Sequence, residues 1–147
     1  MKRCPLIVLV LILTAITGFL YTTRRHPYHR PDVQSVNPSH ALKLRVAINV
    51  DSADGQTVSA ETASPDHIPS LLHVLRERTE TEPHTCVAVG RLTFDLAGGN
   101  VITLEILPGY DDRFLEYRDD RGHYYRINRS AFVAALWSLG IPPDTLK

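Results

Sequence analysis

Only two cysteines occur among the 147 residues, and that scarcity excludes one class of protein at once. Cys4 stands at the amino terminus and Cys86 stands alone in the rest of the chain, so no bridge can staple a domain from within. Net charge is missing as well. The 16 Lys and Arg balance 16 Asp and Glu, which leaves no electrostatic footprint for nucleic acid. No internal repeat appears, and no Ser/His/Asp or Cys/His arrangement or ligand spacing for a metal stands out, so no metal and no cofactor is implied.

One feature is plentiful. Residues 5–21 carry no charge and are rich in Leu, Ile and Val, with Lys2 and Arg3 before them and Arg24 and Arg25 after. A helix crosses the bilayer core with roughly 17–25 such residues, so the run predicts a single transmembrane anchor within residues 1–21, its partner being the lipid bilayer. A cleaved signal peptide is the rival, although Ala15 and Thr17 make a poor cleavage pair, and a buried core helix is the third alternative. Positive charges nearly tie across the run. The short tail before it favours a cytoplasmic amino terminus and an extracytoplasmic domain, with the reverse orientation left open.

Residues 22–40 contain Pro27, Pro31 and Pro38 among histidines and arginines and show no apolar rhythm, which predicts a stalk. His26 and His29 alone make too few ligands for zinc and read as part of a solvated basic segment near lipid headgroups. The expected globular domain is 41–147, large enough for a core without disulfides or metal.

Its pattern opens with Leu42, Leu44, Val46, Ile48 and Val50 alternating with polar or small residues, the period-two signature of a strand with one buried face. The turn Ala53-Asp54-Gly55 then leads to a second strand over 56–62. The same stretch is no calcium loop, because Ala53 and Gly55 occupy positions that need oxygen ligands. Ile68, Leu71, Leu72 and Leu75 carry helical spacing, with Asp66 as expected N-cap, Pro69 in the first turn and His67 simply exposed there.

Strands are expected over 86–96 and 101–107, joined by Gly98-Gly99-Asn100. An odd loop keeps both apolar sets on one face and places Leu96 opposite Ile102 and Phe94 opposite Leu104. A strand follows the glycines where a phosphate cradle needs a helix. Cys86 shares parity with Leu92 and is expected to be a buried, inert thiol.

The densest stretch runs from Leu115 to Ile127. A type I turn over Asp119–Gly122 pairs Asp119 with His123, and the register then sets Tyr117 opposite Tyr125 and Leu115 opposite Ile127 on a core face. Arg118 meets Tyr124 and Glu116 meets Arg126 on the other, mixed-charge face, expected to be solvated. Arginines and acids balance here, which argues against a nucleic-acid surface. Glu116, His123, Tyr124 and Arg126 form the sharpest acid–base constellation available, and with Arg118 they are the candidate surface. The register spoils it, since His123 shares parity with inward-facing Tyr125. Asn128 or Ser130 caps a last helix striped by Phe132, Val133, Leu136, Trp137 and Leu139, ended by Gly140 and by Pro142 and Pro143; Trp137 is expected in the core.

The order of elements implies an α+β, two-layer domain with an antiparallel sheet of about six strands, ββαββββα, and helices on one face. "RLTFDLAGGNVITLEIL" with "YYRINRSAFVAAL" resembles small extracytoplasmic α+β domains of bacterial lipoproteins and anchored proteins over about the last sixty residues. The resemblance implies a sheet hairpin, a Tyr-rich strand and a closing helix, and no activity; this chain departs from it in having an anchor where those have a lipidated cysteine. Two functions follow as expectations. One is a non-catalytic binding or structural module displayed at a membrane, with an unidentified protein as possible partner. The other is a small anchored hydrolase using a His/carboxylate cluster near the 115–127 hairpin. A cluster of that kind in one cleft would favour the hydrolase, and a flat face with exposed apolar residues would favour the module.

Overall fold

The computed structural model describes residues 31–49 and 56–146. The expected anchor at 5–21, the His26/His29 pair and the turn at 53–55 lie outside the described residues. Among those described, no helix is long and apolar enough to cross a membrane.

The fold is α+β, built on one antiparallel sheet of seven strands. The strands are β1 (Ala41–Asn49), β2 (Thr57–Thr62), β3 (Thr79–Thr81), β4 (Gly90–Leu96), β5 (Val101–Pro108), β6 (Phe114–Arg118) and β7 (Tyr124–Asn128). Their spatial order is β2-β1-β4-β5-β6-β7-β3. The helices are α1 (His67–Arg76), between β2 and β3, and α2 (Arg129–Trp137), after β7. The expectation of six strands missed β3, whose Thr-Glu-Thr has no apolar residue to announce it. It forms by pairing with β7, Thr79 opposite Arg126 and Thr81 opposite Tyr124.

Period-two alternation places Leu44, Val46, Ile48, Leu92, Phe94, Ile102, Leu104, Ile106, Leu115, Tyr117, Tyr125 and Ile127 in one buried core. Ile68, Leu71, Leu72 and Leu75 of α1 and Phe132, Ala135 and Leu136 of α2 close that core from the helix side. Burial at roughly 25 cal/mol per Å² of apolar surface holds the two layers together. Leu42 breaks the rhythm and is 59% exposed, because the register between β1 and β4 shifts between Ala41 and Lys43 and turns it outward.

Three local details differ from expectation. Asp66 makes no capping hydrogen bond; Ser64 takes the role, its hydroxyl accepting from Asp66 N and its carbonyl from Ile68 N. The β4–β5 register pairs Phe94 with Ile102 and Leu92 with Leu104, so the three-residue loop is Ala97-Gly98-Gly99, with φ +84° and +79° at the glycines. The slip is two positions, so each side chain keeps its face. Trp137 is 60% exposed, since the buried stripe of α2 runs through Phe132, Ala135 and Leu136. The ends of α2 follow expectation: Asn128 Oδ1 accepts from Ala131 N at 2.9 Å, and Gly140 at φ +83° closes a Schellman turn with Ile141 N donating to Leu136 O.

Residues 31–40, read by composition as stalk, pack with the domain. They make two 3-10 turns, Val33–Ser35 and Pro38–His40, with Val33 and Val36 in the core. Two buried valines three positions apart are too few to carry a periodic signal.

Candidate functional site

The site arises from a connection. β3 lies at one edge of the sheet and β4 lies between β1 and β5, so residues 82–89 must travel past β7, β6 and β5. They do so over the face opposite the helices, as a strap. The side chains beneath them sit on the parity expected to be solvated, and the strap removes them from water: Glu116 is 1% exposed, and Leu107 and Tyr124 are buried.

His84 is the inserted residue of the strap. Its side chain is 8% exposed, and its Nε2 meets Glu116 Oε2 in a short contact. An ionised carboxylate only accepts, so Nε2 is the donor. The second Glu116 oxygen accepts from Arg126 Nη2 at 3.3 Å. A buried carboxylate is costly unless paired, and here two cationic or donor groups share it. The imidazole lies between Tyr110, edge-on at 5.2 Å, and Tyr124, tilted at 5.2 Å. Tyr110 comes from the β5–β6 loop and is itself 76% exposed.

Beside this cluster is an open cleft of about 660 Å³ lined by Glu80, Thr81, Glu82, Pro83, Tyr110, Glu116 and Arg126. Two buried polar atoms here have no hydrogen-bond partner, Thr81 Oγ1 and His84 Nδ1. Orphaned buried polar atoms are rare in folded proteins and mark places where water or a ligand completes the set.

The expected candidate surface is brought together in part. Glu116, Arg118, Tyr124 and Arg126 share the strap face, with Glu116 opposite Arg126 and Arg118 opposite Tyr124 as the register demands. Arg118 donates to Tyr124 Oη at 3.2 Å and pairs with Glu105. The expectation that this face is solvated is corrected at Glu116 and Tyr124, which the strap covers. His123 is not with them. It sits at the hairpin tip, half exposed, its Nδ1 3.6 Å from Asp119 Oδ2 and 3.4 Å from Tyr125 Oη. The histidine that does join the carboxylate is His84, 32 positions away in sequence from Glu116. Pro83 beside it, which ends strand pairing, was the one sequence trace of a strap. Cys86, also on the strap, is exposed, against the expectation of burial.

A second charged network lies at the other side of the same hairpin and is structural. Arg78 grips Asp32 with two hydrogen bonds, 3.1 and 2.9 Å, donates to Tyr117 Oη at 2.7 Å and stacks 3.7 Å above the Tyr125 ring. Arg121 bridges Asp32 at 2.9 Å and Asp119 at 3.0 Å. Burial alone would raise the Asp32 carboxyl, but the hydrogen bonds from Arg78, Arg121 and Gln34 N outweigh it and hold the group at about 2. Burial drives the Tyr117 phenol upward, more than Arg78 lowers it. Every member has partners, so nothing here is open to a ligand.

Among the described residues no group of three or more His, Cys, Asp or Glu side chains is placed to hold a metal ion. No family model matches the chain, and no curated protein or solved structure matches it.

Proposed function

We propose that this chain is a non-catalytic binding module tethered to a membrane by residues 5–21, and that it recognises its ligand in the cleft beside the strap. The observation that carries the reading is the cleft itself: about 660 Å³, walled by an exposed tyrosine, with Thr81, whose Oγ1 is unpartnered, in its lining. The tether rests on the sequence of residues 5–21 alone.

The His84–Glu116 pair favours a second reading, the anchored hydrolase, since a carboxylate that orients an imidazole is a recurrent acid–base device. Geometry ranks it second. Nε2 is committed to Glu116, Nδ1 is buried out of reach of a substrate proton, and Glu116 is shared with Arg126.

NMR of the labelled full chain in detergent, screened against a mixed fragment set, separates the two. Fragments that bind are expected to shift Thr81, His84, Tyr110 and Arg126 together. Shifts that never gather there sink the binding reading, and turnover of ester, amide or glycoside substrates that His84→Gln abolishes would install the hydrolase in its place.

A further inference from the structure

Resting on the binding reading above, the cleft chemistry narrows the ligand class. We infer that the cleft takes a neutral polyhydroxylated ligand, a saccharide unit, with Tyr110 as the stacking platform and the Thr81 hydroxyl as a hydrogen-bonding contact on the floor.

The charges argue first. Glu116 on the floor is already shared by His84 and Arg126, so carboxylate and guanidinium offset each other and neither is free to hold a strongly ionic group. Glu80 also borders the cleft, but it pairs with Tyr125 in the β3–β7 ladder, which by parity turns its carboxylate toward the helix side. Glu82 at the rim remains as a free-standing acceptor; it is exposed and therefore well hydrated. A cation would find one solvated carboxylate, and an anion would find only an arginine already paired.

The unpartnered hydroxyl of Thr81 suits a ligand hydroxyl instead. Thr81 Oγ1, on a residue that lines the cleft, both donates and accepts. A sugar hydroxyl also donates and accepts, so it can meet the Thr81 hydroxyl in either sense, whereas an ammonium only donates and a carboxylate only accepts. Arg126, 40% exposed and fixed by Glu116, presents guanidinium N–H groups to ligand oxygens without needing a counter-charge.

Tyr110 supplies the remaining element. A large aromatic ring that is 76% exposed gains little from the core, and it packs T-shaped against the His84 ring, 5.2 Å between centroids, at the cleft wall. The negative face of an aromatic ring attracts the weakly positive C–H groups that a pyranose presents on one face. Gly109 makes this placement possible: a Cβ there would collide with the Phe114 carbonyl, so the loop can turn Tyr110 back toward the strap only with glycine before it.

The test is a titration of the isotopically labelled full chain in a detergent without a sugar headgroup. The probes are cellobiose and chitobiose, with cadaverine and inorganic phosphate as charged comparators. The expected result is saturable shifts at Thr81, Tyr110 and His84 with a disaccharide, insensitive to added salt. Tyr110→Ala is expected to weaken binding about tenfold with the rest of the spectrum unchanged, and the near-isosteric Thr81→Val to weaken it several-fold. Equal affinity in Tyr110→Ala overturns the inference. Cadaverine or phosphate binding in the cleft while both sugars fail overturns the ligand class and leaves the binding module standing; silence from all four probes at the cleft overturns both. Cleavage of a bound disaccharide would sustain the ligand class and overturn the non-catalytic reading.

Discussion

His84 is a residue whose neighbours are all supplied by other elements: Glu116 from β6, Tyr124 from β7 and Tyr110 from the loop before β6. Its removal leaves a carboxylate that is 1% exposed with Arg126 alone. His84→Leu is therefore expected to destabilise the fold by about 2 kcal/mol, measured by urea denaturation, because an uncompensated buried acceptor costs its desolvation. Adding Glu116→Gln to that variant is expected to recover part of the loss. A double-mutant cycle with no coupling between positions 84 and 116 would show the contact to be idle. Nothing in the immediate sequence of either residue reveals the pairing, since each looks like an ordinary polar residue on a solvent face.

At the scale of elements, alternation was legible and connections were not. The β6–β7 hairpin follows its expected register pair by pair, because the Asp119–Gly122 turn and two in-phase apolar sets allow one alignment. The segment 31–40 carries no such signal, because two valines alone are too few to establish a period. Its attachment depends on Asp32, whose carboxyl falls from the ordinary 3.8 to about 2 on folding. A lowered folded-state pKa means that the unfolded chain binds the proton more readily, so the stabilisation is present in full above about pH 4 and is lost as pH falls toward 2. Asp32→Asn should thus be less stable than the parent at neutral pH, and the gap should close as acid denaturation curves descend through that window. A gap that stays constant from pH 5 to about 2 would mean that Asp32 contributes by packing alone.

For the whole molecule, the asymmetry between the two sheet faces matters most. One face is sealed by two helices, and the other is crossed by a single strap that covers Leu107, Glu116 and Tyr124 while leaving its own Cys86 and Val87 in water. Burial of Cys86 was expected from continuing the β4 rhythm backward, yet the ladder begins at Gly90, and residues before it follow the strap and not the pleat. In a Cys4→Ser background, Cys86 is expected to react with a maleimide probe as an accessible thiol under native conditions. Modification that requires denaturant would place the strap differently and with it the cleft.

Periodic apolar residues by themselves determined six of the seven strands of the antiparallel sheet, the two helices and which side chains of the last hairpin face the core. These are local patterns, and burial of one face enforces them wherever the chain goes. What only the tertiary structure decided is that β3 forms, that residues 31–40 join the core, and that the strap carries His84 past β7 to meet Glu116 on β6. Those outcomes depend on where an edge lies in the finished sheet and on the path between strands that are distant in order, and neither is encoded in the spacing of any short segment.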